Sequence, residues 1–76
     1  MDNMKDAFNK QYAFLYDVYC VKTYIEDNNE YWTEGMYYEA SRDGDTWIIK
    51  TNFGGAGYVG KDYLLDDFDE YFIYLS

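Results

Sequence analysis

Aromatic side chains are what most restrict the folds open to this chain: it carries 11 Tyr, 5 Phe and 2 Trp among 76 residues. Each such ring removes ~150–250 Å² from water when packed inside a fold. The charge pulls in the opposite direction, because 15 Asp and Glu against 6 Lys and Arg leave a net −9. High net charge marks a disordered chain when apolar residues are scarce. Here they are abundant, so the expectation is a folded domain with an acidic surface, Tyr burying its ring while its hydroxyl stays wet. The length allows one domain and no second core. A core this small is marginal, and a homodimer would add buried area, so monomer and homodimer both stay open.

Composition also narrows the chemistry. There is no His, no Pro and a single Cys. Without His the chain lacks the commonest general base and the Ser-His and Cys-His nucleophile pairs. One Cys closes no internal disulfide, and no Cys and His cluster exists for zinc. The expectation is no enzyme, no cofactor and no metal. No apolar run approaches the ~20 residues of a membrane span, and MDNMKDAFNK has no signal-peptide h-region, which predicts a cytoplasmic protein.

Patterning divides the chain into a helix over 1–15 and a β-rich remainder over 16–76. Met4, Phe8, Gln11, Tyr12 and Leu15 recur at helical spacing, with Asp2 or Asn3 available as a cap. From Tyr16 aromatic and β-branched residues take over, and strands are expected near 17–25, 36–41, 46–51, 57–60 and 71–75. Glu26–Glu30 reads as a polar loop. Asp43-Gly44 between two β-rich runs is a hairpin signal, since both residues tolerate positive φ. Lys61–Phe68 reads as a single helical turn.

Three letter patterns suggest chemistry. Gly55-Ala-Gly-Tyr-Val-Gly60 spells G-x-G-x-x-G, but a Tyr-Val strand follows where the dinucleotide fingerprint needs a helix, so these are turn glycines. Asp43-x-Asp45 lacks the third ligand and spacing of a calcium loop and fits a hairpin turn. Cys20 sits in an apolar run and reads as a small core residue.

The acids are the distinctive feature. Asp66, Asp67, Asp69 and Glu70 fall within five residues, with Lys61 the nearby cation; Glu26, Asp27, Glu30 and Glu34 form a second group, and Asp43 and Asp45 flank the hairpin. On a helix Asp66, Asp69 and Glu70 would share a face, where like charges repel by ~0.2–0.5 kcal/mol per pair. A solvated, soluble surface accounts for part of this excess. The remainder suggests imitation of nucleic acid: duplex DNA carries one charge per ~1.7 Å of axis, and carboxylates on a rigid scaffold offer a basic groove a similar field. These ten acids are the candidate partner-binding residues.

Two resemblances follow from these residues. Trp32-Thr-Glu-Gly-Met-Tyr-Tyr-Glu-Ala40 resembles the start of the second strand of SH3 domains, Asp43-Gly-Asp-Thr-Trp47 their turn and first Trp, and Gly57-Tyr-Val-Gly-Lys-Asp-Tyr-Leu64 their last motif. Gly60 stands where those domains have Pro, and Ile48 where they have a second Trp. The resemblance implies a mainly β fold, a small five-stranded SH3-like barrel with an N-terminal α-helix. It also implies an alternative function, an adaptor that holds an extended peptide in an aromatic groove of Trp32, Trp47 and Tyr63. Size, charge and Tyr and Asp richness resemble the small acidic host-takeover proteins of bacteriophages, such as inhibitors of the nucleoid protein HU or of the replication sliding clamp. That likeness implies an acidic DNA mimic that occludes the DNA-binding surface of a basic host protein in the bacterial cytoplasm. It would bind no nucleic acid itself.

Overall fold

The computed structural model describes residues 13–63 and 65–76. Residues 1–12 of the helix expected over 1–15 lie outside the described residues, and Ala13–Leu15 have no regular structure. Seven strands and one short helix follow: β1 (Tyr16–Cys20), β2 (Tyr24–Glu26), β3 (Asn29–Trp32), β4 (Tyr37–Asp43), β5 (Thr46–Lys50), β6 (Ala56–Val59), α1 (Phe68–Tyr71) and β7 (Phe72–Tyr74). Five strands form one antiparallel sheet in the order β6-β5-β4-β1-β7, and β2 pairs with β3 as a separate ribbon. The fold is therefore mainly β.

All five expected strands take part in the main sheet, but the sheet is open and the barrel expectation is corrected. Its edges, β6 and β7, are four and three residues long and do not pair with each other. The chain between them intervenes. Val59 bridges Leu65 in parallel, and the Gly60 N–H donates to the Leu65 carbonyl at 2.8 Å, so this connector meets the outer edge of β6 where β7 would have to close.

The run expected as one strand over 17–25 is two. Cys20 pairs its backbone with Met36 and Gly35, and Val21 donates to Tyr71, after which the chain leaves the sheet and re-forms as β2. The loop expected over Glu26–Glu30 is instead a tight hairpin. Asp27 and Asn28 sit at φ 52° and 67°, the two left-handed residues of a two-residue turn whose twist suits antiparallel strands. The β4–β5 hairpin falls where predicted but one residue later. Asp43 pairs with Thr46, leaving Gly44 (φ 63°) and Asp45 as the loop. The helical turn expected over 61–68 is also displaced: Asp62 lies at φ 71°, which no helix accommodates, and the helix starts at Phe68 with Asp67 as its cap.

Val18 and Cys20 of β1, Ala40 of β4, Trp47 and Ile49 of β5, Val59, Leu65 and Phe72 form the buried cluster. The β2–β3 ribbon adds Trp32, which is fully buried. Its indole N–H donates to the Lys50 carbonyl at 2.8 Å and its ring meets Phe72 edge-on at 5.3 Å. Gly57 makes room for it: a Cβ there would lie 2.6 Å from the indole. Gly57 is thus a packing glycine inside β6 rather than the turn glycine expected from the sequence. Ile48 is also fully buried, although it alternates with Trp47 and Ile49 along β5. Cys20 is a core residue as expected. Burial pushes its thiol pKa up, and the S–H reaches the Lys22 carbonyl at 3.1 Å.

Candidate interaction surface

The acidic residues separate into two regions. The β2–β3 hairpin and the turn after it carry Glu26, Asp27, Glu30 and Glu34. Their local roles are structural as well as electrostatic: Glu26 accepts from the Tyr24 hydroxyl, Glu30 from the Thr33 hydroxyl, and the Glu34 backbone N–H donates to Thr23 Oγ1. Asp27 occupies the turn itself.

Tyr24 is pushed to resist ionisation well above the ordinary tyrosine range, first by burial and then by its hydrogen bond to Glu26. Lys22 is raised as well, chiefly by its hydrogen bond to Glu70. A raised folded-state pKa gives stability that is complete below the unfolded value and lost as pH climbs toward the folded one. Stability should accordingly hold up to about pH 10 and then fall, since unfolded Tyr and Lys titrate near there. Urea midpoints measured from neutral to strongly alkaline pH check this. Tyr24→Phe should flatten the alkaline limb, and an unchanged limb would remove Tyr24 as its cause.

The second region joins residues far apart in sequence. A cleft of about 330 Å³ lies between the β4–β5 hairpin and the segment that enters α1. Asp45 enters from the hairpin, Asp66 and Asp69 from the α1 segment, and Trp47 and Phe68 supply aromatic walls. The two rings stack 4.6 Å apart at 14°. Arg42 holds its guanidinium 4.7 Å from the Trp47 ring centre, and its Nε donates to the Gly44 carbonyl at 3.2 Å. This follows from register, because Arg42 pairs directly with Trp47 across β4 and β5. Tyr74, Lys61, Val59 and Gly60 complete the lining. Asp45, Asp66 and Asp69 are all exposed, and none makes an ion pair with another described residue.

The remaining acids of this group turn elsewhere. Asp67 accepts the Asp69 N–H at 3.1 Å as the cap of α1. Glu70 pairs with Lys22 at 2.9 Å, a cation 48 residues away that sequence proximity does not reveal. Asp66 lies before the first turn of α1, so the single helical face expected for Asp66, Asp69 and Glu70 does not form. Asp43 closes β4 beside the hairpin loop and is exposed. Of the cleft residues, Arg42, Phe68 and Tyr74 escaped the reading of the sequence. A hairpin register counted back from Gly44-Asp45 would have placed Arg42 against Trp47.

The aromatic groove is corrected. Trp32 is 0 % and Trp47 5 % exposed, whereas Tyr63 is 47 % exposed and stacks on Tyr58 at 5.3 Å. The two tryptophans belong to the core, so these three rings present no common peptide-binding surface. Among the described residues no group of three or more His, Cys, Asp or Glu is arranged for a metal ion, and no helix is long and apolar enough to cross a membrane. Gly55–Gly60 leads into and through strand β6 rather than into a helix. No protein-family model, curated protein or solved structure matches the chain.

Proposed function

We propose that this protein is an acidic interaction module that occupies the DNA-binding surface of a basic protein and excludes DNA from it. The observation that carries the reading is the meeting of Asp45 with Asp66 and Asp69 around one cleft, without ion pairing among the described residues. Carboxylates left unneutralised on a small domain repel one another and cost stability. A basic partner relieves that repulsion on binding. The net −9 disfavours nucleic acid as the ligand and favours its cationic binders. The partner class is a basic DNA-binding protein, of which HU-like proteins and the sliding clamp are the examples implied by the resemblance to phage host-takeover proteins. The Glu26, Asp27, Glu30 and Glu34 hairpin offers a second acidic contact for the same partner.

The test is a competition titration with labelled duplex and purified HU-like protein or sliding clamp. The protein should displace duplex from its partner and should not bind duplex alone. Attraction between exposed charges is screened beyond ~8 Å at physiological salt, so affinity should drop at least about tenfold as NaCl rises from about 50 to about 500 mM. Simultaneous binding of protein and duplex to the partner, with salt-independent affinity, contradicts the proposal.

A further inference from the structure

One buried side chain lies outside the core. Ile48 is 0 % exposed, yet it is not part of the cluster that holds its neighbours Trp47 and Ile49. Successive side chains of a strand point to opposite faces, so Ile48 stands on the second face of the main sheet. Its register partners share that face: Ser41 on β4, 5 % exposed, and Tyr58 on β6, half-buried. Side chains on a sheet stand side by side, roughly perpendicular to it, and do not roof one another. Tyr58 and Tyr63 stack on the β6 side, but Ser41 lies beyond Ile48 from there and is too short to shield it. A second layer therefore covers β5 and β4 on this face.

The direction of the chain shows where that layer comes from. Two residues before β1, the Phe14 ring lies 5.0 Å from Lys50 Nζ. Lys50 is also on the second face, two places along β5 from Ile48, and pairs with Glu39 at 2.7 Å. The chain thus enters β1 from across this face. Twelve residues precede Ala13, enough to reach up to ~40 Å. From β1 to β6 is three strand spacings, or ~14 Å. Met4, Phe8 and Tyr12 bring apolar side chains. Asp2 and Asp6 cancel Lys5 and Lys10, so the net −9 lies entirely in residues 13–76. A second copy seated here would set that charge against its own equal, whereas the neutral segment adds none.

We infer that the second face of the sheet is a docking surface for the chain's own residues 1–12, with Ile48 at its centre. A domain this small buries too little surface through one sheet face alone, and the docked segment supplies the other.

NMR on the full chain tests this. The Ile48 δ1-methyl should give NOE cross-peaks to the Phe8 or Tyr12 ring. An isotope-filtered spectrum of mixed labelled and unlabelled chains separates contacts within one chain from contacts between two. Cross-peaks within one chain are the expected result. Their absence overturns the inference, and cross-peaks found only between chains overturn it in favour of a second copy. Solvent access gives a further readout. Phe8→Asp combined with Tyr12→Asp should lift the segment, so that a neutral soluble gadolinium chelate erases the Ile48 methyl signal while that of Ile49, in the main core, stays sharp. An Ile48 signal as protected as Ile49 in this variant contradicts the docking. Should the variant fail to fold, the cross-peaks in the parent decide.

Discussion

Trp32→Ala is expected to leave little folded protein at room temperature. The indole is fully buried, lies between Tyr24, Tyr31 and Phe72, and donates its N–H to the Lys50 carbonyl. Truncating a buried Trp costs about 3–5 kcal/mol through lost transfer energy and the cavity left behind. At about 0.05–0.15 kcal/mol per residue, a domain of this length has a total stability of similar size. The loss is also architectural, since Trp32 is the member of the β2–β3 ribbon in the buried cluster of the main sheet. Thermal melting should show a drop of ~12 °C or more, given ~4–8 °C per kcal/mol for small domains. Trp32→Phe keeps a ring against Phe72 and should lose far less. A melting temperature within a few degrees of the parent for Trp32→Ala would place the indole outside the core.

Gly57→Ala should also be damaging, for the opposite reason. The added Cβ would fall 2.6 Å from Trp32 Cη2 and 2.8 Å from Cζ2, inside any permissible contact. The ring has no free direction, because it is fully buried and tied to Lys50, and Gly57 is held in β6 opposite Ile49. Overpacking a filled core costs about 1–3 kcal/mol. The atoms at fault belong to the six-membered half of the indole, so Trp32→Phe should partly rescue Gly57→Ala, and the two changes together should cost less than their sum. Denaturant melts of the parent, both single variants and the double variant give this coupling directly. Additive costs would show that the glycine is there for some reason other than the indole.

Several elements were legible in the residues because their causes are local. Alternating aromatic and β-branched residues mark β1, β4, β5, β6 and β7, since a strand's side-chain period is a property of its own backbone. Gly44 between β-rich runs marks the central hairpin for the same reason. The β2–β3 hairpin was missed because Glu26–Glu30 is polar and its strands are short, although Asp27-Asn28 is a pair that tolerates the left-handed backbone it adopts. The expected helical turn was misplaced by a similar local signal, the Asp67 cap, which looked like one acid among many.

The sequence by itself determined that this chain is mainly β, built on an aromatic core and covered with acids, because composition and period require no knowledge of partners. Which strands meet, and whether the sheet closes, depends on contacts between residues far apart in the chain. No local pattern encodes the Val59–Leu65 bridge that keeps β6 from β7. The same holds for the surface. Asp45 and Asp69 are 24 positions apart, and Lys22 and Glu70 are 48 apart. Only the folded chain puts the first pair around one cleft and neutralises Glu70 with the second. Charge is additive along a sequence, but the field a partner meets depends on distances, and distances are set by tertiary structure.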